Sequence, residues 1–456
     1  MGDGPNGATK SAARRASGGR ALARVRTSWV AAYVFAVLWP FPLLAVAHKP
    51  GAGTVATVFA AGLGFVASTA LALQFVLPSR ARTVTAPFGA HLLVRVHRGM
   101  GYTVVLLALM HIVVLIADDP GRARLLDTFH APNRARAGMV STLALCALVA
   151  TSIWRRRLRL HYERWQTLHL VLASVALAGA FVHVLLVSEY TATRVIRWAL
   201  VAFVGVAVVA LFQLRVGRQF AAARRPYVLT GVHRERNGAT TLVLRALGHG
   251  GSPFQPGQFA WIKLLDRPYS LAEHPFSYAS SALDPARPSF TIGPAGDFSS
   301  SVGRLPIGTR LCVDGPHGVW RPALADAGYV LIAGGIGITP VLSLLRSWAD
   351  ARDGRPVQLI FANRHWHQVP FREELERLCA VLDLELVFVL SAPHERWRGE
   401  RGYIDSALLQ RLLPEDAHAR NFFVCGPPAM VSGVGSALAA LRIPHRQVHL
   451  EGFVSG

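Results

Sequence analysis

Along the first half of the chain apolar residues come in long unbroken runs. Along the second half they come in short runs broken by turns. The long runs lie near 28–47, 54–77, 94–117, 138–154, 167–188 and 195–214. Each approaches the length of about 20 helical residues that crosses a bilayer core of roughly 30 Å. The fourth is short at its centre and borrows flanking residues. From Pro226 the texture changes to β-rich stretches separated by Gly/Pro turns, among them YVLTGV, TTLVLRAL, QFAWIKLL and SFTIG. These predict a small antiparallel barrel up to about residue 325. Strand and helix patterns then alternate through YVLIAGG, PVQLIFANR, LELVFVL and NFFVCGPP, as in a parallel α/β sheet. The expected division is a basic tail (1–27), a six-helix transmembrane bundle (28–220), a β-barrel domain (226–325) and an α/β domain (326–456).

Charge sharpens this picture. Residues 1–225 hold 26 Lys+Arg against 6 Asp+Glu, a balance of +20, and the remainder holds 22 against 20. A basic half could serve nucleic acid, but here the basic half is also the apolar one. Its arginines sit in clusters between apolar runs, so the expected partner is the lipid bilayer, and no nucleic acid is expected. The tail, Arg80 with Arg82, the RRRLR at 155–159 and the exit through Arg215, Arg218, Arg224 and Arg225 all fall on one side. The positive-inside rule places that side, and both termini, in the cytoplasm of a multi-pass protein of the cell membrane. Arg122, Arg124, Arg134 and Arg136 on the opposite side weaken the contrast. A twin arginine in ARRAS resembles an export signal, but no small-residue cleavage site follows, so the first apolar run is expected to be retained. Four scattered cysteines contain no CxxC pair and argue against a disulfide framework or a zinc site.

Two of the apolar runs carry paired histidines. His97 and His111 are 14 residues apart in the third, and His169 and His183 are 14 apart in the fifth. Fourteen residues make about 3.9 turns, so each pair lies on nearly one helix face, roughly 21 Å apart along the axis. The third and fifth spans run in the same direction, so His97 should face His169 near the cytoplasm and His111 should face His183 near the far side. An imidazole in hydrocarbon is costly and points to function. Two axial imidazoles at each level suit a haem, whose ring nitrogens complete the octahedron, whereas zinc wants further ligands at each level. Two b-type haems are therefore expected. Gly99, Gly101, Ala173 and Gly179 are small enough to let a flat ring approach the backbone. Arg95 and Arg98 have two readings, as propionate partners or as positive-inside residues. His48, His91, His130 and His161 read as solvated or interfacial.

EHPFSYASS (273–281), with PGQF before it and GDFSSS, DGPHG, AGGIGITP and CGPPAM after it, resembles the ferredoxin-reductase-like flavoproteins. Joined to six spans with paired histidines, the order of motifs over residues 28–453 resembles the NADPH oxidase and ferric reductase family of flavocytochromes b, in its bacterial type. The resemblance implies FAD, with His274, Pro275, Phe276, Ser277 and Ser280 holding the isoalloxazine. An RPYS at 267–270 competes for that role but lacks the serine that SYAS supplies three residues beyond the motif. GDFSSS is expected to cradle the FAD pyrophosphate with backbone N–H groups, Ser299 and Ser300. AGGIGITP follows an apolar strand and opens a helix, the context in which Gly335, Gly337 and Thr339 would bind a nucleotide phosphate. Arg364, ending PVQLIFANR, stands where a doubly wound sheet reads the ribose, and an arginine there favours NADPH with NADH still possible. The resemblance also places Cys425, with Gly426 after it, beside the nicotinamide, and Phe453 over the flavin. Three residues after Phe453, and His317 in place of an aromatic in DGPHG, depart from the family pattern.

The expected activity is that of an NAD(P)H oxidase or ferric reductase. Nicotinamide gives two electrons at once and haem iron takes one, so a flavin belongs between them. The acceptor beyond the membrane is expected to be O2, giving superoxide, with a ferric chelate as the alternative and no obligatory protein partner. A transporter with a histidine proton relay and a fused nucleotide-binding domain would contain no haem. A cytochrome scaffold would contain haem that NADPH does not reduce.

Overall fold

The computed structural model describes residues 24–40, 53–78, 88, 90–187, 193–213, 217–265, 273–318, 320 and 327–452. It divides into two compact units, Met1–Arg218 and Gln219–Gly456.

The first unit is helical. Helix α1 covers residues 24–38, followed by α2 (Val55–Leu73), α3 (Ala90–Asp118), α4 (Asn133–Ile153), α5 (Tyr162–Leu186) and α6 (Arg194–Phe212). Among the described residues, four of these, α2 to α5, are long and apolar enough to cross a membrane, and the apolar part of α6 is the shorter stretch Arg197–Val209. The expected 28–47 span extends into residues outside the described ones. Helix α4 does borrow flanking residues, beginning five positions earlier at Asn133, next to Pro132.

Polar side chains fix the helix pairs. Thr54 caps α2 by accepting from the Thr57 N–H at 3.0 Å, and its hydroxyl donates to Asp118 at the end of α3 at 2.6 Å. Thr57 also donates to Asp118, at 2.8 Å, so the start of α2 is tied to the end of α3. Between α4 and α5 the Ser141 hydroxyl donates to the Ala176 carbonyl at 2.8 Å. A Cβ on Gly179 would stand 3.0 Å from the Ala137 carbonyl oxygen. Gly179 therefore serves close helix packing of the small-residue kind, not the approach of a flat ring expected from sequence.

The second unit holds two six-stranded sheets. The first is antiparallel, with strands β1 (Pro226–Arg234), β2 (Thr240–Ala246), β3 (Phe259–Leu264), β4 (His274–Ser277), β5 (Ser289–Ile292) and β6 (Arg310–His317) in the order β4-β3-β6-β1-β2-β5. It closes on Tyr227, Leu229, Leu242, Leu244, Ile262 and Phe290, all buried. The second is parallel: β7 (Tyr329–Gly334), β8 (Val357–Asn363), β9 (Leu384–Leu390), β10 (Glu400–Arg401), β11 (Asn421–Gly426) and β12 (Val448–Gly452), in the order β10-β9-β8-β7-β11-β12. Helix α7 (Ile338–Asp350) packs on one face over Leu331, Leu359 and Phe361. Helix α8 (Pro428–Ala440) belongs to the other face, over Val330, Ile332 and Val424. Strand order reverses between β7 and β11, and a doubly wound sheet opens its ligand crevice at the C-terminal ends of such strands.

Candidate functional site

The first unit brings the four histidines together as two pairs. The ring centroids of His97 and His169 are 6.2 Å apart, and so are those of His111 and His183. Fourteen-residue spacing on two parallel helices accounts for both tiers. Each imidazole extends about 1.2 Å from its centroid and a metal–imidazole bond is about 2.0 Å, so rings sharing one ion would stand roughly 6.4 Å apart. The two gaps have that size.

The ring nitrogens are oriented by their surroundings. His111 Nδ1 lies 2.7 Å from the Ala60 carbonyl oxygen, and His183 Nδ1 lies 2.7 Å from the Arg134 carbonyl oxygen. A carbonyl accepts, so both rings carry the proton on Nδ1 and leave the Nε2 lone pair for a ligand role. His169 Nδ1 is 3.3 Å from the Ser152 hydroxyl. Gln74 Nε2 donates to the His97 carbonyl at 3.0 Å and steadies that turn.

Two glycines missed by sequence reasoning make room for the His111–His183 pair. A Cβ on Gly64 would lie 3.1 Å from His111 Nδ1, and one on Gly138 would lie 2.9 Å from His183 Nδ1. Neither glycine has sequence spacing to the histidines, because each lies on a neighbouring helix. Among the described residues no three His, Cys, Asp or Glu side chains gather as a metal cage. Paired imidazoles of this kind fit a haem.

In the second unit, β4 presents HPFS beside β3, with Ala260 opposite Phe276 and Ile262 opposite His274. Ser277 is buried, Pro275 exposed, and His274 and Phe276 half-buried. The His274 ring stacks on Phe298 at 4.0 Å and 11°, which joins HPFS to GDFSSS. Phe298 was not singled out from sequence because its partner lies 24 residues away on another element. The Ser299 hydroxyl accepts from the Ala295 and Gly296 N–H groups and donates to the Gly296 carbonyl, so it shapes the turn itself. Ser300 is exposed on that turn. The Ser280 hydroxyl accepts from the Ser289 N–H at 3.0 Å, and the Ser280 carbonyl accepts from Ser343 of α7 at 2.7 Å. The competing RPYS lies outside the described residues, as does Phe453. His317 is buried, 5.8 Å from the Phe259 ring.

At the strand-order reversal, β7 leads into a glycine turn and then α7. Gly335 has φ +53°, a left-handed backbone that glycine adopts without strain. A Cβ on Gly337 would stand 2.2 Å from the Cys425 carbonyl oxygen, so only glycine fits there. The ends of β7 and β11 are equally tight, since a Cβ on Gly426 would meet the Gly334 nitrogen at 3.2 Å. Gly337, Cys425 and Gly426 thus meet where β7, β11 and the start of α7 come together, with Gly335 at the turn before α7. Thr339 is buried and donates to the Ile336 carbonyl at 2.9 Å, which fixes the first turn of α7. Arg364 is exposed just beyond β8.

Glu451 adjoins this junction and was missed by sequence reasoning. It lies opposite Cys425 in the β11–β12 register. Burial pushes its carboxyl up to about 7. Burial first, and then the Glu451 charge, hold the Cys425 thiol well above its usual range, so Cys425 is a neutral thiol and not a nucleophile.

Comparisons with known proteins agree with this organisation. Residues 63–180 match the family described as "Ferric reductase like transmembrane component", and residues 331–435 match "Oxidoreductase NAD-binding domain". The NADH-cytochrome b5 reductase 1 of Pyricularia oryzae is 35% identical over 154 residues, 32% of this chain and 50% of that protein. The ferredoxin reductase component of the 3-ketosteroid-9-alpha-monooxygenase of Mycobacterium tuberculosis is 31% identical over 211 residues, 44% of this chain and 55% of that protein. The chain thus spans about half the length of these relatives. The flavohem-like FAD/NAD-binding domain of the nitric oxide dioxygenase of Vibrio cholerae covers 50% of this chain and 98% of its own, at 20% identity and a TM-score of 0.45. The chain thus resembles a ferric-reductase-like transmembrane component in its first part and an oxidoreductase NAD-binding domain in its last.

Proposed function

We propose that this chain carries electrons from cytoplasmic NADPH, by way of FAD and two bis-histidine b-type haems, to an acceptor on the opposite side of a six-helix membrane bundle. The two 6.2 Å imidazole pairs carry this reading, because they stack two matched iron-sized gaps along one direction through the apolar unit. His97 and His169 would hold the inner haem, and His111 and His183 the outer one. The clustering of arginine at the ends of alternate apolar runs supports cytoplasmic termini.

When bound, FAD supplies the conversion from paired to single electrons. The chain's own residues bind and orient. His274, Pro275, Phe276, Ser277 and Ser280 would hold the ring, and the N–H groups of the 297–301 turn, with Ser300, would hold the pyrophosphate. Gly335 lets a nucleotide approach the backbone where α7 begins, and Gly337 lets that turn sit against the end of β11. Cys425 and Gly426 would seat the nicotinamide. Arg364 favours a 2′-phosphate, hence NADPH, while the names of the b5 reductase relatives speak for NADH.

The first acceptor is O2, which is small enough to reach a haem edge without a dedicated docking site. The family described as ferric reductase-like favours a ferric chelate as the second reading. The test of the ligand assignment is haem content by pyridine haemochrome. Two haems per wild-type chain and one in His111→Ala or His183→Ala are expected. Wild-type protein with no haem would end the proposal and revive the transporter.

A further inference from the structure

Next to the inner histidine pair stands a group of side chains that nothing above uses. Trp165 and His169 lie one turn apart on α5, with ring centroids 5.2 Å apart. Tyr162, a turn further toward the cytoplasmic end, is 5.6 Å from Trp165. Arg155 folds back from the end of α4 over both rings, with Cζ 5.6 Å from the Tyr162 centroid and 5.7 Å from that of Trp165. In the RRRLR run, Arg155 is half-buried, whereas Arg156, Arg157 and Arg159 are exposed. The guanidinium therefore belongs to this cluster and not to the solvated face. The Trp165 Nε1–H is buried and has no hydrogen-bond partner among the described residues.

A buried N–H without an acceptor is costly, so one beside a ligand position points to an acceptor that arrives with the ligand. The half-buried cation gives that acceptor its charge. A donor on Trp165, one helical turn and about 6 Å along the axis from His169, with the Arg155 guanidinium against the same ring, makes a site for a carboxylate. We propose that Arg155 and Trp165 bind a carboxylate of the inner prosthetic group, Trp165 donating from Nε1 and Arg155 acting as counter-ion. This rests on the haem reading above. It assigns an anchoring and tuning role to two residues outside the Arg95/Arg98 pair noted from sequence.

Neutralising a carboxylate beside ferric iron disfavours the ferric form, which carries one more positive charge, and so raises the potential of that haem. The test is a redox titration of the purified full chain in detergent with chemical reductant, following the haem bands without NADPH. The inner component is identified as the one lost in His97→Ala. In Trp165→Phe and Arg155→Gln the inner component is expected to shift to lower potential while the outer stays fixed, and Trp165→His, which restores a ring N–H, should recover part of the shift. Both components unmoved in variants that keep two haems would overturn the site. If Trp165→Phe loses the inner haem, reconstitution decides. Wild-type apoprotein should then take up haem at least several-fold more tightly than haem dimethyl ester, and equal affinity would overturn the site. Absence of any haem band in wild-type protein is a separate outcome, which removes the haem reading itself.

Discussion

At the scale of single residues, Glu451 gives the sharpest expectation. Its carboxyl is pushed up to about 7, so near neutrality it changes charge beside Cys425. Loss of hydride leaves the nicotinamide ring positive, and with the ring in the seat proposed at Cys425 the Glu451 carboxylate would stabilise that charge. Flavin reduction by NADPH, followed by stopped flow, should accelerate as pH rises through about 7, and Glu451→Gln should flatten the profile. Stability moves the other way. The folded protein holds this proton between the ordinary value of 4.5 and about 7, while the unfolded chain has released it. Folding is thus favoured at the low end of that window and loses this contribution as pH rises through it. Thermal melts of Glu451→Gln compared with wild type across pH 5–8 check the sign, since the variant should lack this slope.

At the scale of elements, the glycines at helix and strand contacts carry the predictions. Gly138→Ala would place a methyl 2.9 Å from His183 Nδ1, where the ring is tethered at the Arg134 carbonyl and cannot retreat freely. The expected result is loss of the outer haem alone, halving the haem-to-protein ratio. Gly337→Ala would push a methyl into the Cys425 carbonyl oxygen at 2.2 Å, backbone against backbone. A cost of about 2–3 kcal/mol, as for overpacking, is expected, with NADPH-driven flavin reduction at least tenfold slower. Gly354→Ala, whose Cβ meets open space, is the matched control and should change neither.

Periodicity and turn chemistry made most of these elements legible before any coordinates. Long apolar runs announce α2 to α5, short β-rich runs between Gly/Pro turns announce the antiparallel sheet, and the AGGIGITP turn sits where β7 meets α7. The 14-residue histidine spacing is likewise a property of one helix at a time, so it could be read directly. What could not be read depends on which elements become neighbours. Gly64, Gly138, Phe298 and Glu451 matter through residues on other helices or strands, and one sequence carries no record of those pairings. Gly179 shows the opposite error, a small residue near a histidine that in fact serves packing between α4 and α5.

At the scale of the whole molecule, one chain carries an apolar helical unit with two imidazole tiers and a unit similar to an oxidoreductase NAD-binding domain, the two parts that the proposed electron path uses. The direct test is to purify the full chain in detergent, add NADPH without oxygen, follow the haem spectrum, and then admit air. Full reduction of both haems, followed by rapid reoxidation with superoxide formation, is the predicted result. Haem that stays reduced in air but is discharged by a ferric chelate would retain the path and exchange the acceptor. Haem reduced by dithionite but by neither NADPH nor NADH would contradict a self-contained path from nicotinamide to haem.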